Sequence, residues 1–288
     1  MKIEHTAIRE GRLSSFLKQE LGLSTGLMNR LKWADKLYVN GIPRHADFPV
    51  FVGDKIVALL DDPAPQYPAE DGEITILYED DHILCVDKPA GMLIHPSRSC
   101  FTGTLANYVL GYYEKTGQNC AFHPVTRLDR DTFGVVLLAK NAHIHSKLNT
   151  LHSEGKLKKT YEALVMGVPK PAEGMIDAPI ARLPLPSLLR KVDPDGKPSL
   201  TQYRVLESFS GYSRLSLQPI TGRTHQLRVH CSYMGFPILG DPQYGNEDSL
   251  TLSKAMGLTG QALCAVKLSF PHPIEGTELE ICTQFSVK

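Results

Sequence analysis

Along most of this chain apolar and polar positions alternate with the two-residue period of strands, and helical spacing surfaces only in places. Near the start, Leu13, Phe16, Leu17 and Leu21 fall at helical intervals, with Gly22 as a stop signal. Ser24 or Thr25 is suited to cap a second helix through Leu27, Leu31 and Trp33, with Arg30 and Lys32 nearby. Extended pieces follow at 37–43, where Asn40-Gly41 is a turn signal, and at 50–60. Further on, Ile74 and Ile76 alternate with polar neighbours, 82–86 is a short apolar run, and 134–140 (GVVLLAK) reads as a buried strand leading into a helix at 142–151. Residues 160–165, 201–208, 212–219, 264–270 and 278–283 read as strands, and 225–234 as the best late helix. This order predicts an α+β protein: a large mixed, mainly antiparallel sheet with flanking helices, preceded by a small α+β module.

The boundary between the two is drawn by composition. Residues 61–72, DDPAPQYPAEDG, carry three prolines and four acidic residues with little to bury, which reads as a stiff, solvated linker. The expected division is a small domain at 1–61, a linker at 62–72 and a large domain at 73–288. Lys plus Arg and Asp plus Glu both number 31, so a nucleic-acid partner cannot be argued from net charge and any basic surface must be local. Residues 1–61 hold nine basic against seven acidic side chains, a mild bias. The first residues lack the apolar run of a secretory signal, and no stretch of about 18 apolar residues offers a membrane span. A soluble, cytoplasmic protein is expected. The six cysteines are scattered without a CxxC pair and are read as buried free thiols, neither a disulfide framework nor a zinc site.

Three clusters carry candidate chemistry. In Arg127-Leu128-Asp129-Arg130-Asp131, an extended backbone would put Arg127, Asp129 and Asp131 on one face. A carboxylate beside a guanidinium is held in its charged form, which suits a nucleophile or electrostatic anchor better than a general acid. A surface ion-pair cluster is the plainer reading of the same residues. In GKLKKTY, Lys156, Lys158 and Lys159 lead into Tyr161, so cations could follow a phosphate backbone while the ring stacks on a base; a solvated turn before a half-buried tyrosine fits equally. In TGRTHQLRVH, His225 and His230 are five apart, which is wrong for a helical metal pair. Arg228 is placed to give Asp129 a cation, with Arg223 and His225 left for phosphate or sugar. The chain has no phosphate-loop, dinucleotide or nucleophile-elbow motif.

Taken in order, these segments resemble a known family. HPVTRLDRDTFGVVLLAKN is similar to the signature of RluA-type RNA pseudouridine synthases, in which the Asp after Arg-Leu is catalytic; that position is Asp129, with Arg127 two before it. KKTYEALVMG resembles the family's lysine–tyrosine strand and puts its base-stacking tyrosine at Tyr161. TGRTHQLRVHCSYMGFPILGDPQYG is similar to the late motif whose second arginine, here Arg228, pairs with the catalytic Asp. VDKPAGMLIHPS, KPSLTQYRVLE and LCAVKLSFPHP extend the likeness from about Ile74 to the C-terminus. Residues 12–60 resemble the αL-type RNA-binding domain named after a small-subunit ribosomal protein. Two positions depart from the family pattern: Thr126 stands where His or Asn is usual, and Phe133 where Ser is usual.

The resemblance implies a central RNA cleft and an isomerase needing no metal or cofactor. Uracil leaves its N1 link to ribose and returns through C5, after the nucleotide is flipped from the RNA at a cost of a few kcal/mol. Arg127 would fill the vacated space, Tyr161 would stack on the base, and Asp129 would act at the ribose with Arg228 beside it. Tyr161 and Arg228 therefore count with Asp129 as catalytic candidates, and Arg127, Arg130, Lys156, Lys158, Lys159, Arg223 and His225 as RNA contacts. The implied partner is RNA, ribosomal ahead of transfer RNA, bound by a monomer. The alternatives are an inactive RNA-binding or ribosome-assembly relative, and a carboxylate-dependent hydrolase. The latter would want a second carboxylate, for which Asp131 is the near candidate.

Overall fold

The computed structural model describes residues 2–23, 25–60, 67–97 and 100–286. Ser24 and 61–66, about half of the expected linker, lie outside the described residues.

The N-terminal residues form a four-stranded sheet in the order Lys2–Thr6, Lys55–Leu59, Leu37–Val39, Ile42–Pro43. Helices Leu13–Gln19 and Thr25–Trp33 cover it, so Leu13, Phe16, Leu17, Leu27 and Leu31 share one core with Leu37, Val39, Ile56 and Ala58. The turn between Leu37–Val39 and Ile42–Pro43 has positive φ at Asn40 (52°) and Gly41 (79°), the mirror-image turn whose twist suits a hairpin. The first strand, Lys2–Thr6, was not legible in the alternation because its side chains sit half-buried at most.

The rest builds a ten-stranded sheet. Its main path runs Glu173–Asp177, Leu200–Ser208, Tyr212–Pro219, Lys158–Met166, Leu263–Pro271, Phe133–Ala139, Ile83–Lys88, Thr75–Glu79. Glu278–Cys282 adds to Leu263–Pro271, and His123–Pro124 to Phe133–Ala139. Every described pair is antiparallel except one, Phe133–Ala139 with Leu263–Pro271, which is parallel through Phe133↔Cys264 and Gly134↔Ala265. Gly134 makes that contact possible: its φ is +110°, and a Cβ there would lie 2.4 Å from the Ala265 carbonyl oxygen.

The unbroken apolar run at 134–139 follows from helices on both faces. Val135 and Leu137 pack toward helix Ala142–Ser153 through Ile144 and Leu148. Val136 and Leu138 pack toward helix Leu105–Lys115 through Leu105, Val109 and Tyr113. Within 67–71, Pro68 and Asp71 are exposed while Tyr67 and Ala69 pack against that second core; Glu70 N–H donates to Asn107 O (3.0 Å), and Asn107 Nδ2 donates to Pro68 O (2.9 Å). At the other end of the sheet, Tyr161, Ala163 and Val165 meet Leu215 and Leu217 beneath Leu227 and Cys231 of helix Gln226–Tyr233. Inside the proline-rich stretch, Ile180–Arg182 and Arg190–Val192 form a small hairpin whose tip exposes Leu185 and Leu188. Of the cysteines, Cys85, Cys231 and Cys264 are buried, Cys100 and Cys120 half-buried and Cys282 exposed, all as free thiols. Among the described residues no helix is long and apolar enough to cross a membrane.

Candidate active site

The segment carrying Asp129 is a loop between His123–Pro124 and Phe133–Ala139, tied down on both sides. Leu137 N–H donates to Thr126 Oγ1 (2.9 Å) and Leu137 O accepts from Val125 N–H (2.8 Å). From the other side the fully buried Lys88 donates to three carbonyls: Pro89 (2.7 Å), Met92 (2.8 Å) and Arg130 (2.9 Å). Burial pushes the Lys88 ammonium down to about 8, against the pull of Asp131, Asp129 and Asp87. Lys88, the last residue of strand Ile83–Lys88, is thus a clamp on the loop.

Opposite stands helix Gln226–Tyr233, whose start is fixed by one side chain. Gln226 Oε1 accepts from Thr221 Oγ1 (2.8 Å) and Arg223 N–H (3.0 Å), and its Nε2 donates to Leu200 O and Thr201 Oγ1, both at 3.0 Å. All four of its hydrogen-bonding positions are used. Arg228, one turn in, is buried and spreads its guanidinium over three partners. Nη1 donates to Asp129 Oδ2 (3.1 Å), Nε to Asp241 Oδ2 (2.7 Å), and Nη2 to both Asp241 Oδ1 and Gln243 Oε1 (2.8 Å each). Burial works against the Arg228 charge, but Asp241 first and Asp129 second outweigh it and hold the group above its ordinary range. Asp241, wholly buried in a GDPQYG segment that reads as a turn, was missed by sequence reasoning.

Asp129, Arg127, Lys159, Tyr161, Arg223, His225 and Arg228 line one cavity of about 300 Å³. Lys159 and Tyr161 are two apart on Lys158–Met166, so pleating sends both to the cavity side. Lys158, one residue before Lys159 and so out of phase with both, goes the other way and with Lys156 lines a separate 880 Å³ cavity. Lys156 pairs with Glu154 (2.8 Å). Lys159 has its charge disfavoured by burial, and its Nζ is 3.3 Å from His152 Nε2.

The expected common face of Arg127, Asp129 and Asp131 is thus only partly formed. Arg127 and Asp129 reach the cavity, with Leu128 packed between them into the core, but the backbone turns after Asp129. Arg130 and Asp131 then pair with each other at the surface (3.1 Å) and do not line the cavity. Among the described residues Arg127 makes no ion pair with Asp129; the neighbours of Asp129 Oδ2 are Arg228 and, at 3.8 Å, His225 Nε2. Asp129 Oδ1 carries no hydrogen bond among the described residues.

Tyr161 is buried, and burial first, then the Asp129 charge, pushes its phenol well above the ordinary range, so it stays protonated at neutral pH. His225, in left-handed conformation at φ 58°, is kept neutral mainly by burial. His230 faces away from it, bonded to Thr201 Oγ1 and Ala178 O (2.9 Å each). Among the described residues no cluster of His, Cys, Asp or Glu is fit to hold a metal. The two departures from the family pattern lie off the cavity: Thr126 is bonded to Leu137, and Phe133 stacks on Phe285.

A mainly antiparallel sheet thus gathers a carboxylate, an arginine and a buried tyrosine around one cavity rich in cations, the setting of an enzyme that acts on an anionic substrate carrying a flat ring. The chain belongs to the RNA pseudouridylate synthase family, whose pattern matches residues 82–233, from the Lys88 strand to the end of the Arg228 helix. It is accordingly an RNA-modifying isomerase. Among its relatives, the uncharacterized RNA pseudouridine synthase YjbO of Bacillus subtilis is 37% identical over 260 residues, covering 88% of this chain and 89% of the relative. Ribosomal large subunit pseudouridine synthase D of Pasteurella multocida is 35% identical over 267 residues, covering 88% and 81%. The solved structure of human RNA pseudouridylate synthase domain containing 1 superposes with a TM-score of 0.62 at 27% identity, covering 76% of this chain and 86% of the human one.

Proposed function

We propose that this enzyme isomerises specific uridines of ribosomal RNA to pseudouridine, with Asp129 as the reacting carboxylate. The observation that carries the assignment is the setting of Asp129: one oxygen is held by Arg228 at 3.1 Å and the other is unbonded toward a cavity walled by the Tyr161 ring. The reaction breaks the N1–C1′ bond, forms C5–C1′, and balances by loss of the C5 proton and gain of a proton at N1. Arg127, exposed at the mouth, fills the stack left by the flipped uridine; Tyr161 stacks on the base. Burial and the Asp129 charge hold its phenol protonated, which favours a role for Tyr161 through its ring over one as a phenolate base at C5. Lys159, Arg223 and His225 meet backbone or sugar near the flipped nucleotide, while Arg130, Lys156 and Lys158 contact RNA further out.

Ribosomal RNA is favoured over transfer RNA by the relatives named as large-subunit synthases. The residues divide into an RNA-binding module at 1–61 of the αL type, a linker at 62–72 and the synthase domain at 73–288. In the module, Trp33 is 84% exposed on the helix that also carries Arg30 and Lys32, an aromatic beside cations as single-stranded RNA binders use. The enzyme works as a cytoplasmic monomer.

The test is pseudouridine mapping across ribosomal and transfer RNA in cells lacking the gene, complemented with wild type or Asp129→Asn. A site that vanishes on deletion and returns only with wild type establishes activity and target. Purified protein that binds unmodified RNA equally well with and without Asp129, and modifies none, would make it a non-catalytic RNA-binding relative.

A further inference from the structure

Tyr244 lies beyond the family match and does not line the cavity, yet it touches both groups that flank Asp129. Its hydroxyl is 2.8 Å from His225 Nδ1, and its ring lies under Arg228, 4.9 Å from the guanidinium carbon. The backbone N–H of Arg190, on the small hairpin, donates to the same hydroxyl oxygen (2.9 Å).

We infer that Tyr244 is a positioning residue that holds His225 in the neutral tautomer with its proton on Nε2, turned toward Asp129. This rests on the reading of Asp129 as the reacting carboxylate. A phenol has one proton to give. With Arg190 N–H already donating to the oxygen, His225 Nδ1 is the acceptor for that proton among the described residues. Were Nδ1 the donor instead, the phenol proton would be left without a partner in a half-buried site, at a cost. Nε2 then carries the ring proton, 3.8 Å from the Asp129 oxygen that Arg228 already holds.

The neutral ring matters because an imidazolium there would be a second cation on that one oxygen, drawing off the electron density Asp129 needs. The charged groups facing His225 come from every neighbouring element: Asp129 from the loop, Arg228 from the helix, Arg190 from the hairpin and Asp241 from the segment before Tyr244. Arg127, Arg223 and Lys159 line the cavity beside it. Burial disfavours the charged ring, and a bond accepted at Nδ1 adds to this because only the neutral ring can accept it.

The first measurement is a ¹⁵N NMR titration of His225 in the full chain without RNA. Wild type should show the Nε2-protonated neutral ring at pH 7, and Tyr244→Phe should raise the ring's midpoint by about one pH unit, the size of one hydrogen bond. An unchanged or lowered midpoint overturns the proposal. The second is single-turnover kinetics on RNA. In Tyr244→Phe the acid limb should move to higher pH by the same amount, with the rate down by no more than about threefold at pH 7 and approaching about tenfold on the acid limb, and RNA affinity unchanged. A uniform fall on the wild-type profile, as a packing role would give, overturns it. So does a profile shift that persists when Tyr244→Phe is added to His225→Gln, which has no ring to titrate. If wild type makes no pseudouridine, the reading of Asp129 fails, and the NMR titration still decides the tautomer.

Discussion

Asp129 and Asp241 are joined through one guanidinium: Arg228 gives Asp129 a single hydrogen bond from Nη1 and gives Asp241 two, from Nε and Nη2. The stronger, fully buried pairing fixes where the arginine points, and the weaker one delivers it to the cavity. An arginine at the edge of a pocket would otherwise pay rotamer entropy each time it met its partner. Asp241 removes that freedom in advance.

Asp241→Ala should therefore be among the most damaging changes in the chain. It strands a buried cation, a loss of about 3–5 kcal/mol in similar cases. Urea melts would read the fall in stability directly. Asp241→Asn keeps the shape and one acceptor and should cost less; equal losses would mean that the charge of Asp241, and not the packing around it, matters.

Salt dependence should separate the three lysines of GKLKKTY. Lys159→Met removes a cation from the cavity wall and should slow single turnover while lowering the slope of log affinity against log salt by about one. Lys156 and Lys158 line the other cavity, away from Asp129, so for Lys156→Ala and Lys158→Ala single turnover at saturating protein should stay at the wild-type rate. A rate loss in either would bring that face into the catalytic step.

Tyr161→Phe should keep most of its single-turnover rate, since the ring and not the hydroxyl is used. Its pH–rate profile should match that of wild type up to pH 10, because the phenol titrates well above its ordinary 10.0. Tyr161→Leu loses the stacking surface and should fall by about 1–3 kcal/mol in transition-state binding. Abolition by the phenylalanine change would assign the hydroxyl an acid–base role.

Stability should fall on mild acidification through His143. This ring is buried at the start of helix Ala142–Ser153, and burial, then the charges of Lys147 and His82, lower it from 6.5 to about 4. The unfolded chain therefore binds a proton that the folded one refuses between those values. The stabilisation is full above the unfolded midpoint and is lost as pH drops toward 4. Denaturant melts at pH 7.5 and 5 should show this loss, and His143→Leu should make the difference smaller.

Most strands and four of the helices were legible because their apolar spacing is regular. Helix Leu105–Lys115 was not: its LANYVLGYYEK sequence is rich in aromatics, and Gly111 is there to admit the Glu70 backbone, within 1.9 Å of where a Cβ would sit. Helix Glu247–Ala255 buries Ser249 and Ser253, so it carries no apolar stripe to detect. Motif order grouped Asp129, Tyr161 and Arg228, and all three line one cavity. Arg130, Lys156 and Lys158 lie off the cavity because adjacency in sequence does not fix direction: a turn after Asp129 and the pleat at Lys158 send them elsewhere. Asp241 and Tyr244 gave no signal, since their roles exist only once the chain returns beneath Arg228.

The parallel contact at Phe133 and Gly134 spans two residue pairs in a sheet otherwise antiparallel among its described strands, and the Asp129 loop hangs immediately before it. The small hairpin of Ile180–Arg182 and Arg190–Val192, by contrast, ends in an exposed tip at Leu185 and Leu188. Lengthening or recasting that tip leaves the junction untouched, whereas an insertion between Asp129 and Gly134 would pull the loop off its anchor. Tolerance to inserted residues is thereby spread unevenly along the chain.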